Sequence, residues 1–299
     1  MSGAENGMTG GATNGTPEGA TRGADGAYER FRAFRALHHG TRPLLLPNAW
    51  DHASAAALHR RGFPAVGTTS LGIAAAAGLP DGSGAARGET LELGRGLARL
   101  PVPVSVDVEG GFSDDPAEVA ALGAELARAG VAGVNVEDGR GDGTLTDPAL
   151  HAAKVTALKE AAPYLFVNAR TDTHWLGTDP TTAGALRKCT AYVRAGADGV
   201  FVPGLVAADE IAALAGELGT TPLNVLYSPA HHTWDALTAS GAARVSLGSL
   251  LYRAALGRAV ELACAIAGPD GPADGTQEGG AVPPYAEVEA LHGDFGFGP

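Results

Sequence analysis

Short apolar runs alternate with alanine-rich amphipathic segments along most of this chain, and this alternation limits the fold more than any other feature. Residues with apolar side chains three or four positions apart predict a helix after each run. A strand followed by a helix and another strand predicts parallel pairing, because the helix returns the chain to the starting edge. The eight predicted strands are Leu44–Pro47, Ala65–Thr69, Val102–Asp107, Gly133–Glu137, Leu165–Ala169, Gly199–Pro203, Leu223–Leu226 and Arg244–Leu247.

Eight strand and helix units predict an α/β fold of the (β/α)8 TIM barrel type, since eight parallel strands can close without leaving an edge. The alternative is an open doubly wound sheet, which normally carries a glycine-rich phosphate loop after its first strand. Here that position reads Pro47-Asn48-Ala49-Trp50-Asp51. The pattern therefore favours the barrel.

Composition divides the 299-residue chain into three parts. Residues 1–26 contain almost no large apolar side chains and predict a disordered leader. Residues 27–268 hold the barrel and begin with a helix from about Tyr28 to His38. Residues 269–299 open with a proline- and glycine-rich linker and continue as a tail, with a short helix predicted from Tyr285 to Leu291.

The net charge of −12 excludes nucleic acid and anionic membrane surfaces as expected partners, because both select clustered Lys and Arg. No basic region precedes an apolar run, and the apolar stretch 250–267 is broken by charges, so neither a signal peptide nor a transmembrane segment is predicted. Two cysteines are too few for a disulfide framework. We expect a cytoplasmic protein.

Polar side chains collect where the predicted strands end, which is the edge that carries the chemistry of a barrel. They include Thr69, Ser70, Asp81, Asp107, Glu109, Glu137, Asp138, Asn168, Arg170 and Asn224. Outward valines at 104, 106, 134 and 136 imply that Asp107 and Glu137 face inward on neighbouring strands. Carboxylates this close repel unless one is protonated or a cation neutralises them. Acidic residues beside glycine also mark ordinary turns.

All candidate ligands at this edge are hard oxygens, which favours Mg²⁺, with Mn²⁺ as the alternative. Arg170 ends the next strand and offers a planar fork suited to a carboxylate or phosphoryl group of a small anionic substrate. The alternative is that Arg170 only forms a rim salt bridge with Glu137 or Asp172.

Six ordered motifs between about Phe31 and Ile266 resemble the isocitrate lyase/phosphoenolpyruvate mutase superfamily. They are Leu46-Pro47-Asn48-Ala49-Trp50-Asp51, Gly67-Thr68-Thr69-Ser70 with Gly78-Leu79-Pro80-Asp81, Asp107-Val108-Glu109-Gly110-Gly111, Asn135-Val136-Glu137-Asp138, Asn168-Ala169-Arg170-Thr171-Asp172 and Ala195-Gly196-Ala197-Asp198. The resemblance implies a barrel that binds Mg²⁺ and a 2-oxo acid or its enolate. It also implies a homo-oligomer, a dimer or a tetramer, in which the eighth helix swaps between subunits.

The resemblance also assigns roles to individual residues. Metal ligands, mostly through water, are implied for Asp107, Glu109 and Glu137, and substrate contacts for Arg170 and the backbone at Thr69, Ser70 and Leu71. Asp81 matches an acidic residue of the active-site loop. We expect catalytic roles for Asp81, Glu137 and Arg170, and further substrate contacts from Trp50, which otherwise caps the barrel, and Asn224.

Two departures from the superfamily limit the predicted reaction. The lyases carry a Lys-Lys-Cys-Gly segment after the fourth strand, where this chain has Gly139-Arg140-Gly141-Asp142-Gly143-Thr144; the mutases place a histidine where this chain has Pro203-Gly204. We predict a Mg²⁺-dependent lyase that cleaves a C–C bond of a small 2-hydroxy or 2-oxo (di)carboxylic acid through an enolate. The alternatives are a phosphoenolpyruvate mutase or phosphonopyruvate-type P–C bond enzyme, and a catalytically silent binding protein. The proton donor or acceptor is open among three side chains, Asp81, Arg140 and Asp142, and a metal-bound water.

Overall fold

The computed structural model describes residues 18–267, 287–288 and 290–295, and the strands within them confirm the barrel. All pairs are parallel, in the order β1-β9-β8-β7-β6-β5-β4-β3-β2. The strands are β1 (Leu44–Leu46), β2 (Asn48–Ala49), β3 (Val66–Thr68), β4 (Val104–Asp107), β5 (Gly133–Glu137), β6 (Phe166–Arg170), β7 (Gly199–Phe201), β8 (Leu223–Leu226) and β9 (Arg244–Ser246).

The first of the eight predicted strands is divided into β1 and β2 at Pro47, and this division closes the barrel. Leu44 to Leu46 pair with β9, whereas Asn48 and Ala49 pair with β3. Pro47 has no N–H to donate, but its carbonyl accepts a hydrogen bond from Gly67 N at 2.9 Å. The first predicted strand therefore pairs with β9 through its first half and with β3 through its second half.

The helices lie where the sequence predicts them, with two differences. They are α1 (Glu18–Leu37), α2 (His52–Arg60), α3 (Ser70–Ala76), α4 (Arg87–Leu97), α5 (Pro116–Ala129), α6 (Pro148–Ala161), α7 (Thr182–Arg194), α8 (Ala208–Leu218), α9 (Trp234–Ala239) and α10 (Leu250–Ala267). The short α3 is absent from the prediction. Helix α1 begins at Glu18, so it includes residues assigned to the disordered leader, because alanine, glutamate and arginine favour helix between the glycines. Residues 1–17 lie outside the described residues.

Helix α1 closes the amino-terminal end of the barrel. The Phe34 ring is fully buried and contacts Phe166 edge-on at 5.3 Å, while His38 stacks on Phe166 at 4.4 Å. A Cβ on Gly133 would lie 2.9 Å from the Phe34 ring, so the start of β5 tolerates no side chain there. Helix α1 therefore covers the start of β5 and β6 at this end, opposite the carboxyl ends of the strands.

The two faces of the strands separate apolar from polar side chains, as predicted for strands β4 and β5. The outward valines 104, 106, 134 and 136 are buried in the layer between strands and helices. Inward positions form a hydrogen-bonded polar layer that includes Asn135, Asn168 and Arg244. Arg244 is among the largest fully buried side chains of the described residues. The barrel interior is therefore a polar floor beneath the open end.

The tail returns to the barrel as a 3₁₀ helix, Ala290–Phe295, packed on α2. Arg60 holds Asp294 with two hydrogen bonds of 2.8 and 2.9 Å, and Leu291 and Phe295 are buried. Residues 287 and 288, within the predicted range of Tyr285 to Leu291, are helical, and the 3₁₀ helix overlaps the end of that range. Most of the predicted linker lies outside the described residues. Within the described ranges, no helix has the length and apolar character to cross a bilayer.

Candidate active site

A cavity of about 110 Å³ opens at the carboxyl ends of the strands. Six residues predicted from the sequence line it: Thr69, Ser70, Leu71, Asp81, Asp107 and Arg170. The remaining lining side chains and glycine are Asn48, Asn135, Trp175, Phe201, Pro203, Leu226, Ser246, Gly248 and Ser249. A narrow cavity of this size that contains the charged side chains of Asp107 and Arg170 suits a small acid rather than a large cofactor.

Arg170 crosses one wall of this cavity and is fixed by two carboxylates. Its Nη1 lies 2.6 Å from Glu137 Oε2, and its Nε donates to Asp172 Oδ1 at 2.7 Å. The guanidinium also lies over the Phe201 ring, 5.5 Å from its centroid. Nη2 has no hydrogen-bond partner among the described residues. The predicted salt bridges thus exist, and they leave Nη2 of this cavity-lining side chain without a partner in the described protein.

Asp107 lines the opposite side of the cavity and has one unsatisfied oxygen. Oδ2 accepts a 3.4 Å hydrogen bond from Ser70 N, at the start of α3, where no side chain caps the helix. Oδ1 is buried without a hydrogen-bond partner in the described protein. Burial raises the pKa of Asp107, Arg170 opposes this shift, and Asp81 adds to it. An ionised Asp107 therefore requires a cation or a donor that the protein does not supply.

Glu109 turns away from Asp107 toward the segment that follows Asp81. Its φ of 48° lies in the left-handed region, which costs free energy for a residue other than glycine. Oε2 accepts from Gly84 N at 2.9 Å, whereas Oε1 is buried without a partner in the described protein. Burial raises the pKa of Glu109 above its ordinary value. Glu109 thus lines a second, outer cavity of about 470 Å³ rather than the one that contains Asp107 and Arg170.

Negative charge exceeds positive charge at this end of the barrel. Burial raises the pKa of Glu137 well above its ordinary value, although Arg170 opposes it, and burial also raises that of Asp172. Burial alone would lower the pKa of Arg170, but Glu137, Asp172 and Asp107 raise it. One guanidinium shared among these carboxylates leaves an uncompensated charge that favours a bound cation.

The donor set fits a hydrated hard cation. Both carboxylates with unsatisfied oxygens, Asp107 and Glu109, are buried, and oxygen donors are the ligands that Mg²⁺ and Mn²⁺ prefer. Among the described residues, no three His, Cys, Asp or Glu side chains converge closely enough to hold an ion directly. Such an ion would keep several waters between itself and the protein, as Mg²⁺ commonly does.

Asp138 anchors the strand ends from behind the cavity. Its Oδ2 accepts from Thr171, Lys188 and Tyr192 at 2.7 to 2.9 Å, and its Oδ1 accepts from the backbone N of Asp172. Burial opposes ionisation, but Lys188 and these donors lower the pKa of Asp138. This network fixes Asp172, and Asp172 in turn fixes Arg170.

Two predicted substrate contacts lie outside the cavity lining. Trp50 packs edge-on against Tyr252 of α10, with ring centroids 5.5 Å apart. Asn224 is buried in the polar floor, where its amide exchanges hydrogen bonds with Ser246 Oγ at 2.9 and 3.1 Å. Both residues thus support the cavity through a neighbour in this structure.

Several lining residues were not predicted from the sequence, and Asn48 shows why. Its Oδ1 accepts from the backbone N of Leu247 and Gly248, each at 2.9 Å, and its Nδ2 donates to Thr68 O. These contacts join the first strand to the last, about 200 positions along the chain. A lone asparagine after Pro47 gives no local signal of that role, whereas its place at a strand end does.

Comparison with known proteins identifies the family of this chain. A family model described as phosphoenolpyruvate phosphomutase matches residues 34–267. This chain belongs to that family. An uncharacterized protein of Mycobacterium tuberculosis (strain H37Rv) is 44% identical over 263 residues, 88% of this chain and 97% of the relative. The 2-methylisocitrate lyase of Halalkalibacterium halodurans is 30% identical over 210 residues, 64% of this chain and 69% of that enzyme.

Among solved structures, phosphonopyruvate hydrolase in complex with oxalate and Mg²⁺ shares the fold, with a TM-score of 0.75 and 24% identity. The alignment covers 89% of this chain and 95% of that one. The isocitrate lyase/phosphoenolpyruvate mutase superfamily, to which these proteins belong, contains both lyases and mutases, so membership leaves the reaction of this chain open.

The loop after β5 and the turn after β4 are joined by contacts of two basic side chains. Arg140 is held by both oxygens of Asp114 at 2.8 and 2.9 Å, and the buried Lys154 donates to Asp114 and to Gly110 O. Asp142 accepts from Thr144 within the same loop. Arg140 and Asp142 line a separate, outer cavity of about 470 Å³ rather than the one that contains Arg170.

Proposed function

We propose that this chain is a Mg²⁺-dependent lyase that cleaves a C–C bond of a small 2-hydroxy or 2-oxo (di)carboxylic acid through an enolate. One observation carries the proposal: Arg170, whose Nη2 has no hydrogen-bond partner among the described residues, and Asp107, whose buried Oδ1 also lacks one, line the same cavity of about 110 Å³. The first binds an anionic acid, and the second requires a cation beside it.

The guanidinium of Arg170 would stabilise the negative charge that develops on the substrate oxygen. Glu137, Asp172 and the Phe201 face hold it in place before the substrate arrives, so little reorganisation is needed. The backbone at Ser70 and Leu71 starts α3 on the opposite wall and offers N–H donors to the substrate carboxylate. Both contacts select a small carboxylic acid.

Asp107 and Glu109 would hold the cation, with Glu137 assisting. When bound, Mg²⁺ acts as a Lewis acid that polarises the carbonyl of the substrate. The protein supplies the orientation, since Ser70 N positions Asp107 and Gly84 N positions Glu109.

Asp81 is the proton-transferring residue that the geometry favours among the three candidates. It lines the cavity with Arg170, whereas Arg140 and Asp142 line the outer cavity and are bound to Asp114 and Thr144. Asp81 is exposed to solvent. We assign proton transfer at the cleaved fragment to its carboxyl group.

P–C bond chemistry is the second candidate, because the matching family model is that of a phosphomutase. Pro203 lines the cavity where the mutases place a histidine, and proline offers no side-chain donor to a phosphoryl group. The resemblance to 2-methylisocitrate lyase also favours C–C cleavage. We therefore rank the lyase first.

Calorimetric titration with Mg²⁺ and oxalate, a mimic of a small enolate, tests the binding half of the proposal. We expect wild-type protein to bind both, and Asp107→Asn to weaken Mg²⁺ binding by about 10- to 100-fold. Asp209→Asn, which removes the same charge in the first turn of α8, serves as the matched control. No heat in wild type, or equal affinity in Asp107→Asn, would refute the site.

Incubation with 2-hydroxy and 2-oxo diacids tests the reaction. Release of pyruvate or glyoxylate is expected, with loss of turnover in Asp81→Asn. Formation or consumption of phosphonopyruvate, followed by ³¹P NMR, would instead establish P–C chemistry. Binding of oxalate without turnover of any acid would favour the silent binding protein.

A further inference from the structure

The floor of the cavity contains an asparagine whose amide is held in one orientation. Asn135 Oδ1 accepts two hydrogen bonds, from Asn168 Nδ2 at 2.9 Å and from Arg244 Nη2 at 3.1 Å. A guanidinium only donates, so the atom of Asn135 that faces Arg244 must be the oxygen. The orientation of the amide is therefore fixed by its neighbours.

The other atom of this amide is available to a ligand. Asn135 is 4% exposed and lines the cavity together with Asp107 and Arg170. Its Nδ2 has no hydrogen-bond partner among the described residues, and it is not enclosed like the buried unpartnered atoms. The floor thus presents one N–H donor to whatever occupies the cavity.

Burying the Arg244 guanidinium costs desolvation free energy, which suggests a role for this residue in the barrel interior. It is 0% exposed, its Nε donates to Ser246 Oγ at 3.2 Å, and its Nη1 is buried without a partner. No carboxylate pairs with it in the described structure. Burial lowers the pKa of Arg244 to about 9, and Asp107 opposes that shift, so the side chain is charged at neutral pH.

The register of the strands places this donor below Arg170. Asn135 pairs with Asn168, and two positions further along the same inward faces Glu137 pairs with Arg170. A planar acid held by Arg170 would therefore direct its inner oxygen toward Asn135. A neutral N–H is suited to that oxygen, whereas a second carboxylate there would repel it.

We propose that Asn135 is a substrate-binding residue that donates from Nδ2 to a carboxylate or enolate oxygen, and that Arg244 is the positioning residue that holds the amide in this orientation. This inference rests on the proposed function, because it requires a small carboxylic acid in the cavity. It assigns the innermost subsite to an oxygen atom rather than to an apolar group.

Asn135→Asp is the sharpest test because it keeps the size of the side chain and inverts its chemistry. Its oxygens can still accept from Asn168 and Arg244, so we expect the variant to fold. The atom facing the cavity becomes an acceptor, and the affinity for oxalate in the presence of Mg²⁺ should fall by more than about 100-fold. Asn135→Ala removes only the donor and should cost about 10- to 100-fold.

The positioning role of Arg244 requires a double-mutant cycle. Arg244→Met should weaken oxalate binding, and Asn135→Ala should then cost less than about 3-fold more, because the amide is no longer oriented. Arg244→Lys keeps a donor and should recover part of the affinity. Ser105→Ala, a buried hydroxyl elsewhere in the barrel interior without a partner, is the control and should bind oxalate like wild type.

The outcomes separate this inference from the proposed function. If wild type fails to bind oxalate, the proposed function is refuted and the substrate contact of Asn135 with it. If wild type binds oxalate and both Asn135 variants bind equally well, only the inference is refuted. Independent, additive losses from Arg244→Met and Asn135→Ala would retain Asn135 as a ligand contact and refute the positioning role.

Discussion

The Arg170 side chain forms ion pairs with two carboxylates at once: its Nη1 lies 2.6 Å from Glu137 and its Nε 2.7 Å from Asp172. A lysine ammonium keeps the charge but cannot reproduce this fork. We expect Arg170→Lys to lower the free energy of unfolding by about 1–3 kcal/mol and the affinity for oxalate by at least about 10-fold. Urea denaturation and calorimetry measure the two effects.

Arg187→Lys is the matched control for this substitution. Arg187 pairs with Asp179 at 2.6 Å, but both side chains are largely exposed, at 69% and 49%. An exposed pair contributes little to stability, so the change should stay within about 0.5 kcal/mol. Equal losses in the two variants would show that the fork of Arg170 has no special role.

His151 makes the fold sensitive to acid. The side chain is 0% exposed, both ring nitrogens lack partners in the described protein, and it contacts Tyr192 edge-on at 4.5 Å. Burial lowers the pKa of His151 to about 4, with Asp138 opposing and Lys154 adding to the shift. The unfolded chain binds the proton near pH 6.5, so stability is complete above that pH and is lost as the pH falls toward 4.

At pH 5 this single group should cost about 2 kcal/mol relative to pH 7. His151→Leu has a similar volume and no proton to bind. The difference in the free energy of unfolding between pH 7 and pH 5, measured by urea denaturation, should therefore shrink by that amount. His231→Leu is a control on an exposed histidine. An unchanged pH dependence in His151→Leu would contradict the assignment.

The turn after β4 joins Glu109, a proposed metal ligand, to helix α5. Gly111 has φ 86°, and a Cβ there would lie 2.7 and 2.9 Å from the two methyl carbons of Val119. Gly111→Ala should therefore destabilise the protein by more than about 2 kcal/mol. Because Glu109 lies in the same turn, the affinity for Mg²⁺ should fall as well. Thermal denaturation with and without Mg²⁺ reports both.

Gly216 in α8 provides the contrasting glycine. Nothing lies within 4 Å of a Cβ built there, and the residue is exposed within a helix. Gly216→Ala should stabilise the protein by about 0.4–1 kcal/mol. A loss of stability there comparable to that of Gly111→Ala would refute the steric argument.

The elements that could be predicted are those whose boundaries are set by residues close to them in the sequence. Helices α5 and α6 follow β4 and β5 as the alternation predicts, and Asp115 and Asp147 cap them, with a proline after each cap. Helix α3 could not be predicted, since Thr69 makes no side-chain cap and the helix spans only seven residues. The division of the first strand at Pro47 depends on pairing with both β3 and β9, which no local pattern encodes.

The same distinction separates the predicted from the missed site residues. Asp107, Glu137 and Arg170 end strands with a charge and stand out in apolar surroundings. Asn135 and Arg244 lie inside predicted strands, 109 positions apart, and meet only because the barrel closes. The signal available in the sequence was an arginine at the start of an apolar strand, and its role follows only from the closure of the barrel.

At the scale of the whole molecule, α10 packs little of its surface against the rest of the described residues. None of its side chains is buried, and Leu256, Val260 and Ile266 are 53%, 55% and 66% exposed. Its contact with the barrel is at β2, where Tyr252 packs on Trp50. An apolar helix face this exposed is typical of a surface that a second subunit covers.

We therefore predict that the protein is a homo-oligomer assembled through α10, by the helix exchange that the sequence resemblance implies. Leu256 and Val260 lie one turn apart on the same face, so Leu256→Glu with Val260→Glu places two charges in the interface. Light scattering after size exclusion should give a dimer or tetramer for wild type and a monomer for this variant. Ala212→Glu with Ala213→Glu adds the same charge to exposed positions of α8 and should leave the assembly intact. A monomeric wild type, or an unchanged mass in the α10 variant, would show that this face is not the interface.

If the assembly holds Tyr252 against Trp50, the monomeric variant should also bind oxalate more weakly. Trp50 begins the loop behind Ser70, and Gly72 leaves no room for Trp50 to shift.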